Sequence, residues 1–193
     1  VPLSQRKITM KIYTRTGDKG QTQVYTHEVL KKDKDDSLLQ CYGTLDELNS
    51  VVGLINALLI EEAKHASPLL NDVSDWLYQV QQDIFAIGFA MSNASQLRSD
   101  AVQELETHID ALTALLPPQT SFILPGGHVI AAQTHVARTV ARRAERELVS
   151  LNKQHELADN VLQYINRLSD FLFVLARAIN HALNIEDINV TAS

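Results

Sequence analysis

The sequence has a single cysteine, Cys41, which excludes an internal disulfide and fits a reducing compartment. Its apolar neighbours point to a buried thiol. Glycine and proline are also scarce, seven and five in 193 residues, and they cluster, so helix breakers act at few places. No apolar run approaches the roughly 18 residues that a membrane-spanning helix needs, and no positively charged leader with an apolar core opens the chain. The expectation is a soluble, cytoplasmic protein with no membrane partner. Basic charge is in deficit: 17 Lys and Arg against 23 Asp and Glu give a net charge of −6. That argues against a nucleic-acid binder, because affinity for a phosphate backbone needs a basic surface. What the chain does have is 45% hydrophobic residues, enough for one sizeable core, so residues 1–193 are expected to form a single domain.

Against this acidic background the segment 135–151, HVARTVARRAERELVSL, stands out. At about 100° per residue, Val136, Val140, Ala141, Ala144, Leu148 and Leu151 share one arc of a helix, and His135, Arg138, Arg142 and Arg146 share another. Arginines at i, i+4 and i+8 repel one another, so such a stack needs anions supplied from elsewhere. Arg142 can reach Glu145 and Arg143 can reach Glu147, but Arg138 has no acid three or four residues away. Either this is the solvated face of a bundle helix or it meets an anionic ligand.

Along the chain, 1–7 is a polar lead-in expected to be poorly ordered. The next stretch, 8–22, places Lys11, Thr14, Arg15, Thr16, Lys19 and Thr22 around Gly17 and Gly20. Hydroxyls, cations and exposed backbone N–H groups suit a phosphate cradle, although Gly-Asp-Lys-Gly is equally an ordinary turn and the spacing is not that of a Walker A loop. Lys31, Lys32 and Lys34 alternate with Asp33, Asp35 and Asp36 in what reads as a solvated loop.

Five amphipathic helices follow, at roughly 37–62, 68–93, 100–116, 129–151 and 156–183. In the first, Leu45, Leu48, Val52, Ile55 and Leu59 face inward, and the opposite stripe carries Asp46, Asn49, Gly53 and Asn56. Capping-box patterns at Thr44/Glu47 and at Ser37/Gln40 leave its start open. The second begins with Ser67 and Pro68 and keeps Leu70, Val73, Leu77, Val80, Ile84, Ile87 and Met91 in heptad spacing. The third uses Val102, Leu105, Ile109, Leu112 and Leu116 and stops at Pro117-Pro118. Phe122, Ile123 and Leu124 lie in a non-helical loop before Pro125-Gly126-Gly127, with the core as their expected place over a pocket. The last helix buries Val161, Ile165, Leu168, Leu172, Leu175 and Ile179, and its second stripe, Asn166, Asp170, Phe173 and Arg177, looks like the lining of a cleft. With no credible series of strands, the fold class is an all-α bundle.

Several chemistries fail on spacing. A di-iron bundle needs two Glu-x-x-His pairs, and only Glu62 with His65 fits. Zinc hydrolysis lacks His-Glu-x-x-His, and no Gly-x-Ser-x-Gly or Cys/His nucleophile pattern is present. What is left is an anion site without a general base, made of Lys19, Lys34, Arg142 and Arg146 with Thr14, Thr22 and Asn166. It suits a nucleoside triphosphate whose reaction needs charge stabilised rather than a proton moved.

Five motifs in order, TRTGDKGQT (14–22), YGTLDELNS (42–50), FILPGG (122–127), HVARTVARRAER (135–146) and INRLSDFLF (165–173), resemble ATP:cob(I)alamin adenosyltransferases of the PduO/MMAB type. The resemblance implies a five-helix bundle assembled as a homotrimer, with ATP and the corrinoid meeting near subunit interfaces. It implies that Thr14, Arg15, Thr16, Gly17, Asp18, Lys19, Gln21, Thr22, Lys34, Arg142, Glu145, Arg146 and Asn166 hold ATP and its Mg²⁺, with Glu145 nearest the metal. Arg138 would pair with Asp46, both catalytic together with Phe122, and Phe122, Phe173 and Asp46 would face the cobalamin. The implied reaction moves the 5′-deoxyadenosyl group of ATP to the cobalt of cob(I)alamin, releasing triphosphate, with a separate reductase and an adenosylcobalamin-dependent enzyme as partners. The alternative is a helical regulatory or scaffold protein that binds nucleotide without corrinoid chemistry, and it would need neither Phe122 nor the Arg138–Asp46 pair.

Overall fold

Among the described residues, five helices follow a two-stranded hairpin. The computed structural model describes residues 21–25, 29–33, 36–63, 69–92 and 96–191. Strands β1 (Gln21–Tyr25) and β2 (Val29–Asp33) pair antiparallel with Gln21 opposite Asp33 and Tyr25 opposite Val29. In sequence this stretch reads as loop, because its few apolar residues, Val24, Tyr25, Val29 and Leu30, come in adjacent pairs and set up no strand period. The helices are α1 (Ser37–Ala63), α2 (Leu69–Met91), α3 (Ala101–Thr113), α4 (Val129–Asn152) and α5 (Asp159–Ala182). Residues 1–20 and Lys34, with the proposed cradle, and the Ser67-Pro68 start signal lie outside the described residues.

The helical spacings become burial. Leu45, Leu48, Val52, Ile55 and Leu59 of α1 and Val73, Leu77, Val80, Ile84, Ile87 and Met91 of α2 are all buried. Helix α4 packs against α1 on one side and α5 on the other, α2 extends the layer beyond α1, and α3 covers α5. Between two neighbours α4 buries a broad arc, Ile130, Ala131, Thr134, His135, Ala137, Val140, Ala141, Ala144, Leu148 and Leu151. That width corrects two assignments: His135 is interior, and Val136 is exposed.

Of the two candidate starts of α1, the chain takes the earlier one, with the Leu38 N–H donating to Asp36 Oδ1 at 2.9 Å. Helix α3 ends at Thr113, before the expected Leu116, in tight turns from Leu115 N to Leu112 O and Leu116 N to Thr113 O. Leu116 precedes a proline, a position that disfavours α geometry. Residues 37–62 of α1 are long and apolar enough to cross a membrane by length and composition, although polar residues interrupt every apolar run within them. Here the helix is a wall of the bundle, and its heptad face is core.

A buried polar cluster ties α2, α3 and α5. Asp83, 3% exposed, accepts from Arg98 Nε at 2.9 Å, Arg98 Nη2 at 3.0 Å, Gln79 Nε2 at 3.1 Å and the Tyr164 hydroxyl at 3.1 Å. Arg98 also pairs with Glu104. Cys41 is buried as its neighbours suggested, and burial, with the charge of Glu147, pushes its thiol up to about 11. Because the folded value is raised above 9.0, the stability linked to this thiol is present below pH 9.0 and falls as pH rises toward 11. A disulfide reagent at pH 8 is therefore expected to leave native Cys41 unmodified and to titrate one thiol after denaturation, since it attacks the thiolate. Rapid labelling of the native protein would contradict this burial.

Candidate functional site

The cationic side of α4 comes from arginines one helical turn apart, at 138, 142 and 146. Neither intrahelical ion pair suggested by their spacing forms. Glu145 turns to α5 and accepts from Asn166 Nδ2 at 2.8 Å, and Arg143 reaches across to Glu47 of α1. Glu147 keeps a buried Oε2 without a partner. Arg142 and Arg146 stay exposed, the second donating from Nη1 to the Arg142 carbonyl at 2.9 Å, and among the described residues neither meets a carboxylate. Arg138 is partly sunk, and its Nε is buried with no hydrogen-bond partner. Burial first, then the field of Arg142, works against its charge and lowers its pKa. One turn earlier His135, 4% exposed, lies against Phe173 with ring centroids 6.1 Å apart. Burial and the charge of Arg138, opposed by Asp187, hold its imidazole below the ordinary value, and its Nδ1 has no partner.

Within one chain Arg138 and Asp46 do not pair, and the helix register shows why. Glu47 meets Arg143, so Asp46 lies level with that part of α4, and Arg138 is five residues away, about 7.5 Å along the axis. Asp46 also faces the other way, into a groove between α1 and α2.

That groove encloses about 430 Å³ and is lined by Tyr42, Asp46, Asn49, Phe85 and Phe89, with Gly88 at its floor beneath the Tyr42 ring. Phe85 and Phe89 are 57% and 54% exposed and stack with centroids 6.5 Å apart. Asn49 donates through Nδ2 to the Gln81 carbonyl at 3.4 Å, while its buried Oδ1 has no partner. Of the stripe Asp46, Asn49, Gly53 and Asn56, the last two serve α2: Gln81 fills the space over Gly53, and Asn56 accepts from Ser74 Oγ at 2.7 Å.

Phe122 is not in the core, as the sequence had suggested, but 84% exposed, and Leu124 is 53% exposed. The loop is instead held by its backbone. Asn180 of α5, itself buried, donates from Nδ2 to Gly126 O at 3.1 Å and accepts at Oδ1 from His128 N at 2.9 Å. Gly127 lies between them at φ 92°, where a Cβ would collide with the Asn180 amide, so only glycine fits. On the other side the chain returns after α5: Leu124 N donates to Ile188 O and Val190 N to Phe122 O, both at 2.8 Å. Phe122 and Val190 border an open hollow of about 460 Å³.

The stripe expected to line one cleft on α5 divides among separate tasks. Asn166 holds Glu145, Asp170 pairs with Arg167, Phe173 packs on His135, and Arg177 is buried in an ion pair with Asp187. Asn180, Asp187 and the return segment escaped the sequence reading, because nothing in helical spacing relates the last turn of α5 and the residues beyond it to a loop much earlier in the chain. Gln21 and Thr22 fall in β1, while Thr14, Arg15, Thr16, Gly17, Asp18, Lys19 and Lys34 lie outside the described residues.

Comparison with known proteins follows the same outline. Residues 12–179 match the family described as cobalamin adenosyltransferase. The chain is 41% identical over 189 residues to the corrinoid adenosyltransferase of Bacillus subtilis (strain 168), covering 95% of this chain and 94% of that one. It is 38% identical over 183 residues to the human corrinoid adenosyltransferase MMAB, covering 91% and 71%. A solved PduO-type ATP:corrinoid adenosyltransferase from Lactobacillus reuteri, a phenylalanine-to-histidine variant complexed with cobalamin and ATP, superposes with a TM-score of 0.83 at 34% identity, covering 95% and 98%.

Proposed function

The chain belongs to the cobalamin adenosyltransferase family, and from that premise we propose how its residues carry out the ATP-dependent adenosylation of cobalamin. The observation that carries the reading is the side of α4 where Arg142 and Arg146 meet no carboxylate among the described residues and Arg138 has a buried, unpartnered Nε. A triphosphate supplies the missing anion. Arg142, Arg146 and Asn166 bind it from this side, with Thr14, Arg15, Thr16, Gly17, Asp18, Lys19, Gln21, Thr22 and Lys34 as its further ligands by the family motif. Among the described residues no three His, Cys, Asp or Glu side chains converge on a metal site. One carboxylate, Glu145, fits magnesium, which retains waters and takes substrate phosphates as its remaining ligands. Bound with ATP, the ion would neutralise charge on the phosphate oxygens.

The chemistry needs no base. The electron pair of Co(I) forms the bond to C5′ of ATP, the C5′–O bond breaks, and its electrons leave with triphosphate, so no proton has to move. Arginines aimed at that leaving group stabilise the charge that develops on it. The corrin meets Phe122 and Phe173, with Asp46 on the groove between α1 and α2. An apolar ring on the lower axial side excludes water and makes Co(I) easier to reach, with electrons delivered by a separate reductase. Asp46 and Arg138 face apart in one copy, so the pairing that the family resemblance implies falls between two copies, with the sites at the interfaces of a homotrimer.

Mixing the protein with ATP and chemically reduced cobalamin is expected to convert the corrin absorption to that of adenosylcobalamin, with one triphosphate released per product. Arg142→Ala, which removes charge-assisted hydrogen bonds of about 1.5–3 kcal/mol, is expected to lower kcat/KM for ATP by roughly 10- to 100-fold. ATP binding with no spectral change would instead identify a nucleotide-binding scaffold.

A further inference from the structure

Beyond α5 the chain turns back through Asn184, at φ 57°, and runs antiparallel to the loop that carries Phe122, with Ile123 opposite Asn189. Little is buried where they meet: Ile188 is 61% exposed and Val190 45%. This ladder therefore fixes position more than it adds core. What secures it is a buried charge. Arg177, 8% exposed, donates from Nε to Asp187 Oδ2 at 2.7 Å and from Nη2 to the Pro117 carbonyl at 3.1 Å. One planar guanidinium thus joins the start of the Phe122 loop to the strand that pairs with its middle, and a planar fork of donors holds two such acceptors in fixed directions.

We infer that Arg177 is a positioning residue for Phe122, acting through Asp187 and the 185–190 segment. The inference rests on the reading of Phe122 as the ring that meets the corrin. Arg177 touches no substrate. Its contribution is to hold the loop at its start, as Asn180 holds it at its end, so that a ring with almost no packing of its own still has a defined place. Loss of the ion pair frees the segment and lets the ring drift, and a displacement of about 1 Å can reduce a rate by up to about 100-fold.

The test compares the full chain with Asp187→Asn, Arg177→Lys, Phe122→Ala and the Phe122→Ala/Asp187→Asn double variant. Each is measured for thermal midpoint, ATP affinity, and kcat and KM for cobalamin. Asp187 is on an irregular segment, so Asp187→Asn keeps the experiment informative even if Arg177 variants fold poorly. Asp187→Asn is expected to lower cobalamin turnover about tenfold with ATP affinity within about twofold, since neither Arg177 nor Asp187 is bonded to Arg142 or Arg146. The double variant is expected to be no slower than Phe122→Ala, because the two changes act through one ring. Multiplying effects, or a lowered midpoint with normal turnover in Asp187→Asn, would overturn the role of Arg177 while leaving that of Phe122 standing. Normal turnover in Phe122→Ala would overturn both.

Discussion

Phe122→Ala is expected to lower cobalamin turnover by roughly 10- to 100-fold while leaving ATP affinity within about twofold. In the free protein the ring is 84% exposed and its loop is held by backbone bonds, so its removal should cost little folding stability. Against the corrin, in the role proposed for it, the same ring would become buried. Covering a phenylalanine side chain is worth about 1.5–3 kcal/mol, and each 1.4 kcal/mol is a factor of ten. The loss therefore falls on the step in which the corrin is shielded from water. Phe122→Leu, which keeps an apolar group without the ring, should fall between the two. The readouts are steady-state formation of adenosylcobalamin and a separate ATP titration; equal turnover in wild type and Phe122→Ala would remove the ring from the mechanism.

The second large effect concerns stability. Asp83→Ala is expected to destabilise the fold by about 3–5 kcal/mol, the usual result of removing one partner from a buried ion pair. Asp83 receives four hydrogen bonds from three residues, and the Tyr164 hydroxyl is left in the interior without an acceptor. Arg98 is one-third exposed and keeps Glu104, so it can recover part of its solvation, which places the loss toward the lower end of that range. For a chain of this size the change corresponds to a midpoint lower by roughly 6–20 °C, measured by thermal unfolding at pH 7. A shift under about 2 °C would mean that the cluster is replaceable by water. Tyr164 adds a pH dependence of defined sign. Burial first, then the charge of Asp83 and the bond to it, raises its pKa well above 10.0, so its contribution is present below pH 10.0 and falls as pH rises beyond it.

Why some of this was legible in the sequence and some not follows from what spacing encodes. The apolar heptads of α1 and α2 predict their buried faces because in both the buried residues are largely those the apolar stripe marks, even though α1 meets two neighbours. In α4 the same calculation misplaces His135 and Val136, because a helix held between α1 and α5 buries a wider arc than its apolar residues mark. The arginines were visible as a face, but their partners were not: spacing offered Glu147 to Arg143, and the fold supplies Glu47 from another helix. Phe122 lies in a segment that proline and glycine keep out of a helix, yet composition does not say whether a non-helical phenylalanine points in or out. Arg177 was seen as one member of a stripe. Its carboxylate partner, ten residues on, becomes its neighbour only because the chain reverses after Leu183, a turn with no hydrophobic period to announce it.

Asp46 and Glu47, adjacent in sequence, address opposite sides of α1: the first opens onto the aromatic groove with α2, and the second locks onto Arg143 beside the arginine face. The helix is therefore a party wall between two compartments, with Leu48 and Val52 as its interior masonry. A change that tilts this wall shifts Asp46 and Glu47 together, so it reaches both compartments at once.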